Sequence, residues 1–147
     1  YLNYEGYVYM VVLSVDPLSI ENQVEEEGVV VLANCPDVQA VRHDGLNMAY
    51  AVFYKGGTLR IHDKIVVEMD APGMLMVKYN DAGEILTLGV SDPTRFMKKL
   101  HLSVNQRIVG TAQENIHTEW DGKQALTRIS VDLPQNEYAG KSVIYNK

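Results

Sequence analysis

Cysteine is nearly absent from this sequence, and histidine is sparse. With a single cysteine, Cys35, in 147 residues, the chain can form no internal disulfide, which excludes a disulfide-stabilised scaffold. We expect Cys35 to be a buried small apolar residue, because the sequence shows neither a nearby histidine nor a helix N-terminus that would activate a thiol. The histidines are too widely spaced for a typical zinc site, although strands could still bring two of them together. These residues are His43, His62, His101 and His117. We therefore predict no metal ion and no cofactor.

Positive charge and long apolar runs are scarce as well. The chain has 13 Lys and Arg against 19 Asp and Glu, which gives a net charge of −6, and its longest basic run is Lys98-Lys99. A nucleic-acid-binding or anionic-membrane surface is therefore not expected. The apolar stretch 7–13 is far shorter than the roughly 20 residues that span a bilayer. No glycine-rich loop follows a strand and opens a helix, so nucleotide binding is unsupported.

Alternation of apolar and polar residues is the dominant pattern, and it predicts β-strands. Residues 100–104 and 127–133 alternate strictly, as half-buried strands do. Segments 8–13, 29–33 and 74–77 are apolar on both faces, which predicts central strands covered on both sides. Turn signals recur about every 8–14 residues, the spacing of an all-β sandwich. They lie at 43–45, 55–57, 80–83 and 120–123, and each predicts a hairpin with a residue, usually glycine, at positive φ. We predict an all-β fold, an antiparallel β-sandwich.

One segment near the N-terminus departs from this pattern. Asp16 is a suitable N-cap, Pro17 suits the first helical position, and Gly28 can end a helix, so a short helix is predicted over 17–27. This helix is the plausible boundary between a preceding sheet and a second sheet that starts at Val29. Tyr1 stands where a complete gene product would have Met, which favours a partial or processed chain.

Two aromatic residues are candidate carbohydrate-binding residues. Most of the nine tyrosines lie in predicted strands, where β-propensity accounts for them. Trp120 beside a tight turn and Tyr138 in the loop 135–140 are predicted to be exposed. Exposed rings offer flat apolar faces on which sugar rings can stack, although both rings could instead pack at the base of a loop. The sequence suggests no catalytic residue and no metal ligand.

Five segments carry a family resemblance when they are taken together. They are VLANCPDVQAVRH at 31–43, AVFYKGG at 51–57, APGMLMVK at 71–78, LTLGVSDPT at 86–94 and LPQNEYAG at 133–140. Together they resemble the C-terminal β-sheet region of polysaccharide lyase family 8, the chondroitin AC, hyaluronate and xanthan lyases. The last segment looks most like chondroitin AC lyases. Residues 7–13 are similar to the strand that ends the family's central sandwich, although Ser14-Val15-Asp16 intervenes here before Pro17.

The resemblance implies a place in a larger enzyme. Such lyases have a helical N-terminal domain with Asn, His, Tyr and Arg catalytic groups, then a central β-sandwich and a small C-terminal β domain. They cleave acidic polysaccharides by β-elimination next to a uronic acid. By resemblance, residues 1–16 are the last strand of the central domain, 17–28 a short helical connector, and 29–147 the C-terminal antiparallel sandwich. No catalytic residue carries over to this chain.

The resemblance also implies partners and a location. The partners are the helical and central β domains of the same enzyme and, through the whole protein, an acidic polysaccharide. The location is extracellular or periplasmic. The alternative is a free-standing carbohydrate-binding or adhesion β-sandwich, which the two candidate aromatic residues would serve. A third possibility is a protein-interaction sandwich without affinity for sugars, marked by an exposed edge strand that pairs with another chain.

Overall fold

The structure, a computed structural model, describes residues 28–108 and 113–147. The strand predicted at 8–13 and the helix predicted over 17–27 lie outside the described residues. No helix among residues 28–108 and 113–147 is long and apolar enough to cross a membrane.

The described residues form strands joined by short turns. The strands are β1 (Val29–Asn34), β2 (Val38–His43), β3 (Met48–Phe53), β4 (Gly57–His62), β5 (Ile65–Met69), β6 (Gly73–Tyr79), β7 (Ile85–Ser91), β8 (Lys99–Val104), β9 (Ile116–Asp121), β10 (Leu126–Asp132) and β11 (Val143–Asn146). Short 3₁₀ turns lie at Asp44–Leu46 and Asn136–Tyr138. The strict alternation at 100–104 and 127–133 therefore corresponds to β8 and β10, with Leu133 just beyond the end of β10.

The strands are arranged in two antiparallel sheets. The six-stranded sheet has the order β1-β2-β3-β6-β7-β11, and the five-stranded sheet has the order β4-β5-β8-β10-β9. Every strand pair within them is antiparallel. The all-β antiparallel sandwich predicted from alternation is confirmed.

The core lies between the two sheets and draws on both. Ile65, Val67 and Leu100 of the five-stranded sheet and Val77 of the six-stranded sheet are each 0% exposed. Aliphatic side chains on the inward positions of both sheets continue this cluster. Arg42 adds a polar link between the layers, since its Nη1 donates to the Ile61 carbonyl oxygen at 3.0 Å. A sandwich packed in this way holds the outward positions of each sheet at fixed spacing.

Segment 29–33 was expected to be a central strand, and that expectation is wrong. It forms β1, which is an edge strand of the six-stranded sheet. Val29 and Val31 are 42% and 43% exposed. Segment 74–77 does lie in a central strand, β6, but Met74 on its outer face is 43% exposed. Apolar residues on both faces did identify strands of one sheet, while no described residue covers that sheet's outer face.

The expected burial of Cys35 is also wrong, because Cys35 is exposed in the turn between β1 and β2. Its thiol donates to the Val38 carbonyl oxygen at 3.4 Å, so a polar partner near the surface replaces an apolar environment.

The predicted turns lie at or next to turns of the structure, but their conformations differ in part from the prediction. Gly83 has the expected positive φ of 78°. In two other turns Asn47 and Ala125 adopt positive φ, at 50° and 52°. Segment 55–57 crosses from β3 to β4 in the other sheet, so it is not a hairpin. Glycine is required at Gly56 because a Cβ there would lie 2.6 Å from the Asp70 carbonyl oxygen.

Candidate functional site

The outer face of the six-stranded sheet carries a row of apolar side chains that crosses every strand. Strand register places these residues opposite one another, one from each strand. The row consists of Val31, Val41, Tyr50, Met76, Gly89 and Ile144, and we call it the apolar row. Six strands spaced about 4.8 Å apart make such a row about 24 Å long.

Most residues of the apolar row are exposed in the described part of the chain, whereas Met76 is half-buried and Gly89 is buried. Val41 is 37% exposed, Tyr50 49% and Ile144 43%. Gly89 completes the row without a side chain, since a Cβ there would lie 3.3 Å from the Met76 methyl group. Val29 and Met74 widen the row along their strands at 42% and 43% exposure. A continuous apolar surface of this kind marks an interaction face in a soluble protein.

The outer face of the five-stranded sheet is polar and concave. A groove of about 510 Å³ crosses β5, β8, β10 and β9. Two rows of paired side chains form its floor. One row is His101, Ser130 and His117, and the other is Glu68, Ser103, Arg128 and Glu119. We call this surface the polar groove.

Ion pairs organise the margins of the polar groove. Lys99 Nζ and His117 Nε2 lie 3.1 and 3.2 Å from the two carboxylate oxygens of Asp132. Hydrogen bonds from Lys99 and then from His117 hold the pKa of the Asp132 carboxyl below its usual value. Arg128 lies 3.3 Å from the Asp121 carboxylate and donates to the Gln124 side chain at 2.8 Å. The groove's one arginine is therefore already paired.

The fold places two of the histidines in the polar groove, but one strand separates them. His101 and His117 flank Ser130 on neighbouring strands of the polar groove. Across residues 28–108 and 113–147, however, no three His, Cys, Asp or Glu side chains come close enough to hold a metal ion.

The structure places the two candidate aromatic residues at opposite ends of the sandwich. Trp120 pairs with Thr127 at the start of β10, whereas Tyr138 follows the end of β10 at Asp132. Five residues of strand separate these two ends by about 17 Å. Trp120 is 38% exposed and Tyr138 59% exposed. Because its partner Thr127 points into the core, Trp120 faces away from the polar groove.

Sequence reasoning missed the most exposed aromatic side chain among the described residues. Phe96 is 88% exposed and lies in the connection between β7 and β8. The available signal was Asp92-Pro93-Thr94, where an aspartate beside proline indicates a turn. Asp92 is buried, at 3% exposure, and its carboxylate accepts a hydrogen bond from the Phe96 N–H.

Comparison with known proteins adds to this geometry. Residues 30–109 match the family model of polysaccharide lyase family 8, C-terminal β-sandwich domain. The chondroitinase AC of Pedobacter heparinus is 32% identical over 113 residues, which are 77% of this chain and 14% of that protein.

Solved structures give the same family and fold. A chondroitinase AC lyase, studied in enzyme–oligosaccharide complexes, matches with a TM-score of 0.65 at 30% identity over 89% of this chain and 17% of its own. A Paenibacillus xanthan lyase shares the fold, with a TM-score of 0.69 at 19% identity over 88% of this chain and 12% of its own. The chain therefore spans less than a fifth of the length of each of these relatives.

Proposed function

The chain belongs to polysaccharide lyase family 8, as its C-terminal β-sandwich domain, and we propose that it is a non-catalytic module of a lyase. In this proposal it packs against the rest of the same polypeptide and helps to position it. The whole protein cleaves uronic-acid-containing polymers of the chondroitin and hyaluronan class by β-elimination. The catalytic groups for that step belong to the helical domain, outside this chain.

The observation that carries the proposal is the apolar row. An outer sheet face that exposes Val41, Tyr50 and Ile144 gains stability when another surface covers it. The relatives that this chain matches are five to eight times as long, so the remaining domains are the available cover. We therefore assign the apolar row as the face that docks against them.

The polar groove does not favour an acidic polymer. Glu68, Asp70 and Glu119 line it, against a single guanidinium, that of Arg128, which is already paired with Asp121. A net charge of −6 over the chain adds long-range repulsion of a polyanion. Both observations support a path for the substrate polymer through the other domains.

The domain division and the location belong to the same proposal. Residues 1–16 would be the last strand of the central domain, 17–28 the connector, and 29–147 the C-terminal module. A lyase of extracellular polysaccharides would work outside the cytoplasm, in the periplasm or beyond the cell.

The test is an assay of the full-length protein that contains this chain. It is incubated with chondroitin sulfate, hyaluronan and xanthan, and the unsaturated uronate product of β-elimination is followed by its ultraviolet absorbance. We expect product from chondroitin sulfate or hyaluronan. Release of saturated sugars only, or of no product from any of the three, would show that the proposed activity is wrong.

A further inference from the structure

We propose that two loops joined to each other at one end of the sandwich form a binding site for acidic polysaccharide. The site consists of Arg95, Phe96, Lys98, Tyr138 and Lys141, and we call it the loop-end patch. The class of polymer rests on the proposed function, whereas the site itself rests on the geometry that follows.

The two loops lie side by side at the same end of the molecule. One joins β7 to β8 and spans 92–98, and the other joins β10 to β11 and spans 133–142. Strand pairing of Lys99 with Asp132 and of Val90 with Val143 brings their ends together. Gln135 Nε2 donates to the Met97 carbonyl oxygen at 3.0 Å, which ties one loop to the other.

The first loop is fixed by one buried carboxylate. Asp92 Oδ1 accepts hydrogen bonds from the Thr94 N–H at 2.8 Å and from its hydroxyl, and Oδ2 accepts from the Phe96 and Met97 N–H groups at 2.9 and 2.7 Å. Burial raises the pKa of Asp92, but these hydrogen bonds outweigh it and leave the pKa below its usual value. The loop backbone that carries Phe96 is therefore fixed, and the Phe96 side chain is 88% exposed.

The second loop presents another ring beside a cation. Tyr138 is 59% exposed, and Lys141 Nζ lies 5.9 Å from its ring centroid, within the range of a cation–π contact. The Tyr138 carbonyl oxygen accepts from the Lys141 N–H at 3.0 Å and so holds the two residues together. Gly140, at a φ of 89°, packs closely on the side chain of Arg95 in the first loop. The backbone that carries each ring is thus held in place before a ligand arrives, which reduces the entropy lost on binding.

The charge of the loop-end patch is opposite to that of the chain. The two loops carry three exposed cations, Arg95, Lys98 and Lys141, against one exposed carboxylate, Glu137. The whole chain has a net charge of −6. Guanidinium and ammonium groups bind carboxylates and sulfates through charge-assisted hydrogen bonds, and exposed rings offer apolar faces to sugar rings. This combination suits a polymer whose sugars alternate between apolar faces and anionic substituents.

The first experiment measures binding by the full-length protein directly. Its migration is followed in native gels that contain chondroitin sulfate, hyaluronan or neutral dextran. We expect retardation by both acidic polymers and none by dextran. The double variant Phe96→Ala, Tyr138→Ala should weaken retardation roughly tenfold, and Lys98→Glu, Lys141→Glu should weaken it further.

A matched control comes from the opposite end of the sandwich. Lys123→Glu reverses an exposed charge there, as Lys141→Glu does in the patch, and it should leave retardation unchanged. Thermal unfolding of every variant confirms that it folds, since all the patch residues are exposed. Equal retardation of wild type and patch variants would overturn the inference, and so would a loss confined to the Lys123 variant.

The second experiment separates the patch from the catalytic domain. The patch variants should raise KM for long polymer while leaving kcat/KM for a tetrasaccharide unchanged, because a short ligand cannot reach both sites. Loss of tetrasaccharide cleavage would contradict a separate site. If the full-length protein cleaves none of these polymers, the proposed function fails, and the gel comparison alone decides the loop-end patch.

Discussion

Tyr50 on the six-stranded sheet and Ser130 on the five-stranded sheet occupy equivalent positions, in the middle of the outward face of an interior strand, but their neighbours differ. Tyr50 lies between Val41 and Met76, and Ser130 lies between His101 and His117. The inward positions of both sheets, in contrast, carry the same aliphatic core.

The inward residues therefore bear on the stability of the domain, and the outward residues bear on its assembly with other domains. The inward residues hold the two sheets together and indicate little about partners. The outward residues show which side of the domain tolerates water and which side is more stable when covered. In the polar groove the serines, histidines and charged groups are already solvated or paired. The apolar row would become more stable if another domain covered it.

Charged side chains in the apolar row should disturb the protein more than charge anywhere else on the two outer faces. In the full-length protein, Val41→Glu with Tyr50→Glu should weaken docking by about 2–4 kcal/mol, the value of burying the still-exposed parts of these two side chains. Calorimetry should then show this domain unfolding as a separate, earlier transition. Limited proteolysis should also cut between it and the rest of the protein more rapidly than in the wild type.

The matched control introduces the same charge on the other outer face. Ser130→Glu places a carboxylate between His101 and His117, where it remains solvated, and should change stability by no more than about 0.5 kcal/mol. If both substitutions have equally small effects, no domain covers the apolar row, and the proposed docking face is wrong.

The same contrast explains what the sequence could predict of the fold. Side-chain alternation is a local property, so β8 and β10 and the all-β class were predictable. Segments 29–33 and 74–77, apolar on both faces, were expected to be covered on both sides. Both lie in the six-stranded sheet, and under the proposed docking their cover comes from other domains. A single chain does not specify whether a partner or its own residues supply that cover.

The loop-end patch was less predictable from the sequence, because its residues lie in loops. Tyr138 could be named from its position in a polar loop. Phe96 could not, because the shape of the backbone that carries it follows from hydrogen bonds that converge on Asp92 from several backbone groups. The contact between Gly140 and Arg95 joins residues far apart in sequence. Such contacts follow only from the paired ends of the strands.

A smaller loss of stability is expected from a change in the loop between β7 and β8, which belongs to neither outer face. Asp92→Asn removes the negative charge of the carboxylate that accepts hydrogen bonds from the N–H groups of Thr94, Phe96 and Met97. It should destabilise the domain by about 1–3 kcal/mol. Asp63→Asn, at an exposed turn, is the control and should be nearly neutral. Chemical denaturation of each variant measures the difference. An Asp92→Asn variant as stable as the wild type would mean that the loop keeps its shape without the carboxylate.

The pH dependence of that difference follows from the direction of the shift. The pKa of Asp92 is lower in the folded protein than in the unfolded chain. The carboxylate therefore contributes stability above its unfolded pKa, and this contribution is lost as the pH falls through the folded pKa. The gap between wild type and Asp92→Asn should accordingly close in acid. A stability difference between wild type and Asp92→Asn that stays constant across the acid range would mean that the substitution acts through the geometry of the loop and not through the charge of Asp92.

The smallest effect should come from the ion pairs beside the polar groove, because exposed pairs are screened by water and salt. Lys99 and His117 keep the pKa of Asp132 low, so its carboxylate loses its proton at a lower pH than an ordinary aspartate. In an NMR titration of the side-chain carboxyl, Lys99→Ala should move this pKa upward more than His117→Ala does, since Lys99 makes the larger contribution. Neither change should alter the thermal unfolding of the domain measurably. A large loss of stability in either variant would mean that the groove margin, like the apolar row, is more than a solvated surface.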